Sequence, residues 1–116
     1  MTVSDELQKK AIADLARNRT SSSFLQKQYP TAQRAIDKEI VNNLIARVLA
    51  CWNISKGITA GRLTDAAKIS PEAYENAEKD AKLSRANFRK NMAITLKGFG
   101  IGEMTAEEIV AAIMAD

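Results

Sequence analysis

Apolar positions recur most regularly between Thr31 and Trp52. Ile36, Ile40, Val41, Leu44, Ile45, Val48, Leu49 and Trp52 return every three or four residues, while Arg34, Asp37, Lys38, Asn42, Asn43 and Arg47 fall largely on the other side. This pattern predicts one long central helix over about 31–52, closed by Asn53 and Gly57. Upstream, Ser4 can cap a first helix with Asp5 and Glu6 in its opening turn, where acids complement the helix dipole. Leu7, Ala11, Ile12 and Leu15 form its narrow stripe, and the helix fades near Arg19. Thr20-Ser21-Ser22-Ser23 reads as a hinge, which leaves residues 1–19 as a peripheral helix or an arm. Phe24, Leu25 and Tyr29 are expected to pack locally before Pro30.

Beyond a short helix at about Ala60–Lys68, the chain repeats itself. Ala67-Lys68-Ile69-Ser70-Pro71-Glu72-Ala73-Tyr74 matches Ala81-Lys82-Leu83-Ser84-Arg85-Ala86-Asn87-Phe88. Ser70 and Ser84 sit as N-caps, and Ile69 with Tyr74 and Leu83 with Phe88 have hydrophobic-staple spacing. Pro71 suits a first helical turn. The repeat predicts separate helices at Pro71–Ala81 and Arg85–Leu96. Met104, Thr105, Glu108 and Ile109 repeat the capping pattern and open a last helix running to about Ala115. Gly98-Phe99-Gly100-Ile101-Gly102 is then a loop with Phe99 tucked into the core.

The expected fold is therefore all-α: a compact bundle of five or six short helices around one long central helix, without a sheet. With 116 residues it is a single domain. Hydrophobic content of 46% suits a folded chain, but aromatics are only 5%, so the core is built from Ile, Leu, Val and Ala.

Charge sharpens the picture more than its total, +3, suggests. Lys82, Arg85, Arg89, Lys90 and Lys97 form an uninterrupted basic stretch between two acidic ones, Glu72–Asp80 and Glu103–Asp116. A basic helix in that setting needs an anionic partner, or pairing with its own acidic neighbours. The candidate binding residues are Lys82, Ser84, Arg85, Asn87, Arg89 and Lys90. Lys9, Lys10, Arg17 and Arg19 add charge near the amino terminus.

Leu83-Ser84-Arg85-x-x-Phe88-Arg89 resembles the turn and opening of the second helix in helix-turn-helix DNA-binding proteins of the small repressor type, over residues 71–96. The resemblance implies that Leu83 and Phe88 anchor the core, and that Ser84, Arg85, Asn87, Arg89 and Lys90 face phosphates or base edges. Glu78 stands where that family has a small residue, and Lys82 where it has a turn glycine.

Histidine is absent, which excludes His-dependent triads and most zinc sites. Cys51 is the single cysteine; it excludes an internal disulfide and reads as a small buried hydrophobe beside Trp52. Glu72, Glu75 and Glu78 read as a solvated face, with Glu75 and Lys79 as an i, i+4 pair. The glycine run lacks both the strand and the spacing of a dinucleotide site. No cofactor, metal or small-molecule substrate is expected, and no enzyme. No apolar run is long enough to span a membrane, so a cytoplasmic location is expected. Two functions follow. One is a small DNA-binding regulator, possibly a homodimer, acting on double-stranded DNA. The other is a stoichiometric inhibitor or adaptor on an acidic protein surface, such as a phage-encoded inhibitor of a host defence nuclease.

Overall fold

In the computed structural model, which describes residues 3–18 and 30–115, the described chain is helical with no strand. Its helices are α1 (Asp5–Asn18), α2 (Pro30–Ile69), α3 (Pro71–Gly98) and α4 (Glu103–Met114). The expected helix class holds; the expected number of helices and compact shape do not. Forty residues of α2 extend about 60 Å at 1.5 Å per residue, and the molecule measures 65 × 21 × 18 Å. The hinge at 20–23 and the packing of Phe24, Leu25 and Tyr29 lie outside the described residues.

Helices α2 and α3 form an antiparallel hairpin that turns at Ser70. Trp52 and Phe88, equally far from that turn along the chain, meet with ring centroids 5.2 Å apart. Below this pair the hairpin packs with α1 and α4 around the core. Val41, Leu44, Ile45 and Val48 come from α2, Ala93 and Leu96 from α3, Ile109, Val110 and Ile113 from α4, and Ala11 and Leu15 from α1. Above it, the partly or fully buried residues are mostly small, Ser55, Thr59 and Ala66 on α2 and Ala73, Ala77 and Ala81 on α3, with Leu63 the one large apolar side chain among them. Small residues let two helices approach closely, but each buries little apolar area. Stability is therefore concentrated at the base, and the distal hairpin projects from it as an arm.

Helix α2 does not stop at Asn53 or Gly57. Each mid-helix glycine costs about 1 kcal/mol relative to alanine, too little to end a helix whose seam residues continue onto α3. Thr64 is accommodated because its hydroxyl donates to the Ala60 carbonyl at 2.9 Å.

The two halves of the repeat behave differently. At Ser70 the chain breaks: the residue is extended (φ −168, ψ 160) and its Oγ accepts the Ala73 N–H at 3.0 Å. At Ser84 there is no break, and α3 runs through it. Proline decides the difference. Pro71 drives the residue before it out of the helical region and supplies no N–H, whereas Arg85 in the same place is a good helix former. The expected separate helices 71–81 and 85–96 are one.

Helix α4 starts before Thr105, with Gly102 as its N-cap; Thr105 is buried within it and Met104 is exposed, so no staple closes there. Phe99 is 53% exposed rather than tucked into the core as expected, and Ile101, 3% exposed, is the loop residue that is buried. Ile101 is drawn inward because its N–H bonds the Leu96 carbonyl at 3.2 Å and the neighbouring Gly100 carbonyl is held by Asn18 Nδ2 at 2.7 Å. Gly100 takes φ 103, the left-handed region. Within α2, Ile36 is half-exposed although it lies on the predicted stripe. Asp37, from the predicted polar side, is buried, with Gln33 Nε2 donating to its Oδ1 at 3.2 Å. Cys51 is exposed rather than buried.

At the other end of the chain, Ser4 caps α1 as expected, accepting the Leu7 N–H at 3.3 Å. That helix packs against α2 and α4.

Candidate binding groove

Lys82, Ser84, Arg85, Asn87, Arg89 and Lys90 are all exposed on the middle of α3. Because α3 is continuous there, Ser84 is an interior helix residue rather than a cap, and no free helix N-terminus presents it to a ligand. Helical spacing then separates the six. Lys82, Arg85 and Arg89 stand at i, i+3 and i+7 and share one side. Ser84 borders a small cavity with Thr59 and Asp80. Asn87 and Lys90 border neither of the cavities formed around Lys82, Arg85 and Arg89.

Those two cavities adjoin along one side of the hairpin. The larger, about 640 Å³, lies between α2 and α3, with Trp52, Lys56, Leu63, Glu78 and Met114 in its wall. The smaller, about 380 Å³, continues past Arg89 and Ala111. Lys82 and Arg85 border both, as do Met114 and Ala115 at the end of α4. Four cations therefore edge a groove whose floor is largely apolar.

Trp52 fixes two of those cations. Lys56 Nζ lies 5.7 Å and Arg85 Cζ 5.6 Å from its ring centroid, within cation–π range. The ring is 5% exposed, and among the described residues its Nε1–H has no hydrogen-bond partner. The Trp52 ring attracts the Arg85 guanidinium, which forms no ion pair among the described residues.

Acidic neighbours form no ion pair with Lys82, Arg85 or Arg89 among the described residues. Among the described residues the ion pairs join Lys10 to Glu108, Arg17 to Asp14 and Lys97 to Glu103. None includes Lys82, Arg85, Arg89 or Lys90. The final carbonyls of α4 carry about half a negative charge, so the cations facing Met114 and Ala115 also steady that helix end. Among the described lining residues, Lys82, Arg85 and Arg89 alone still exceed that half-charge and Glu78 combined. The described lining is thus net positive and its floor apolar, suited to an anionic group joined to an apolar one.

Two further sequence features resolve differently. The N-terminus of α4 after the glycine run is already occupied by the protein's own carboxylate: Asp14 Oδ2 accepts the Gly102 N–H at 3.1 Å. Glu72, Glu75 and Glu78 are exposed, and among the described residues no cluster of three or more His, Cys, Asp or Glu is placed to hold a metal ion.

Sequence reasoning missed Lys56 and assigned Trp52 to the core alone. The available signal was their i, i+4 spacing, but it points to a shared site only once α2 is known to continue past Asn53. Among the described residues no helix is long and apolar enough to cross a membrane. No family model, curated protein or solved structure matches the chain.

Proposed function

We propose that this protein is a non-enzymatic binding factor, a stoichiometric inhibitor or adaptor, whose groove takes an acidic segment of a partner protein that also carries apolar side chains. One observation carries this reading: among the described residues Lys82, Arg85 and Arg89 make no ion pair, and they edge a groove floored by Trp52, Leu63 and Met114. Carboxylates of the partner would meet the cations while its apolar residues cover the floor. Duplex DNA would engage the same cations through its phosphates, but its phosphates lie on a convex surface that leaves a recessed apolar floor untouched. Glu78 within the groove also opposes a polyanion.

Trp52 is the only tryptophan in the chain, so its emission reports on the groove directly. Wild-type protein is titrated with a synthetic peptide mixing Glu or Asp with Leu and Phe, with an all-Glu peptide of equal charge, and with duplex DNA, each at low and high salt. The mixed peptide should shift Trp52 emission at the lowest concentration, and Lys82→Glu/Arg85→Glu/Arg89→Glu should remove the response while preserving helicity. Tighter binding of DNA than of the mixed peptide would replace this reading with the nucleic-acid one. An unchanged signal with all three ligands would leave the groove without a role.

A further inference from the structure

The face of α2 turned away from the groove carries an unusual set of exposed side chains. Ile54, Ile58 and Ile69 are 64%, 53% and 76% exposed, and Arg62 and Asp65 between them are also exposed. At 100° per residue these five positions fall within an arc of about 80°, so they form a ridge along the arm. Among the described residues neither Arg62 nor Asp65 forms an ion pair, although they stand at i, i+3. Gly61 lies beside the ridge, and a Cβ built on it would meet nothing within 4 Å. No packing inside the chain requires that glycine, and its missing side chain leaves room for another backbone to approach.

The order of residues on the ridge is self-complementary. Ile58, Arg62, Asp65 and Ile69 are spaced four, three and four apart, a spacing that reads the same in both directions and matches a coiled-coil seam. A second identical helix laid antiparallel about a twofold axis between Leu63 and Thr64 places Ile58 on Ile69 and Arg62 on Asp65, each pairing occurring twice. A parallel arrangement instead sets Arg62 on Arg62 and Asp65 on Asp65. We infer that the arm self-associates, α2 against α2 of a second copy in antiparallel orientation, through Ile58, Arg62, Asp65 and Ile69. A twofold contact of this kind uses one patch on both partners. It leaves the groove on the other side of the hairpin open, and it stands or falls independently of what the groove binds.

The charge pattern provides the test. Sedimentation equilibrium over a wide range of protein concentration should show a reversible monomer–dimer equilibrium for the wild type. Arg62→Asp and Asp65→Arg each place like charges opposite one another twice, and each should weaken the dimer about tenfold or more, since like-charge juxtaposition is strongly penalised at interfaces. Combining them restores opposite charges, and Arg62→Asp/Asp65→Arg should return to near the wild-type dissociation constant. All of these positions are exposed, so helicity by circular dichroism should stay unchanged throughout. In a Cys51→Ser background, oxidising a mixture of Ile58→Cys and Ile69→Cys proteins should yield the mixed disulfide in preference to either homodimer. A wild type that stays monomeric at the highest attainable concentration would overturn the inference. So would single reversals without effect, or a double reversal that fails to recover.

Discussion

The carboxylate of Asp14, on α1, accepts the backbone N–H of Gly102 at 3.1 Å although the two residues are 88 apart in sequence. The approach is so close that a Cβ at position 102 would lie 2.9 Å from Asp14 Oδ2. Asp14 is buried, and its other oxygen accepts from Arg17 Nη2 at 2.7 Å. One side chain therefore ties the first helix to the N-terminus of the last. Asp14→Ala should lower the unfolding free energy by about 1–3 kcal/mol, because it leaves a partly buried N–H without its acceptor. Gly102→Ala should cost a similar amount, about 1–3 kcal/mol, by forcing that carboxylate aside. Urea unfolding followed by circular dichroism measures both, and wild-type midpoints would remove this contact from the account of stability.

Proline at position 85 distinguishes one α3 helix from two. Were Ser84 a cap, Arg85→Pro would occupy a first-turn position and be tolerated. In the continuous helix it removes an interior hydrogen bond and clashes with the preceding turn, costing about 3 kcal/mol or more. Arg85→Ala is the control for the lost charge. An unfolding midpoint for Arg85→Pro equal to that of Arg85→Ala would place a break at Ser84.

Ile36 and Ile45 lie on the same predicted stripe but differ in burial, 50% exposed against 2%. Ile45→Ala should destabilise by about 2–5 kcal/mol through loss of buried area and the cavity it leaves. Ile36→Ala should stay within about 1 kcal/mol, as expected for an exposed position away from special features. Equal losses would mean that the base of α2 is covered along its full stripe.

Cys51 is exposed on α2. It should react with one equivalent of a thiol reagent in native buffer, at a rate comparable with that of the unfolded chain. Cys51→Ser should leave stability unchanged within about 0.5 kcal/mol. A thiol silent until denaturant is added would restore the buried reading.

The amphipathic stretches were legible in the sequence because periodicity is a local property. Val41, Leu44, Ile45, Val48 and Trp52 are buried as their spacing predicts, and Ser4 caps where its position suggests. The cationic stretch was visible too, but how its residues divide between faces was not. Part of that division follows from whether α3 restarts at Ser84: a restart would re-phase Arg85, Asn87, Arg89 and Lys90, all on the second helix, relative to Lys82 on the first. The motif copies at Ser70 and Ser84 are nearly equivalent as sequence, and one ring, Pro71, separates a turn from a helix interior.

What the chain determined by itself is its helical class, its main apolar stripe and the exclusion of histidine chemistry. Only the tertiary structure decided where helices end, that Phe99 yields its core position to Ile101, and that Lys56 joins Arg85 on Trp52. The physical reason is the small scale of local preferences. A mid-helix glycine or a serine cap is worth about 1 kcal/mol, while packing one helix along another adds many contacts at once. Weak stop signals such as Asn53 and Gly57 give way wherever a neighbouring helix continues the seam.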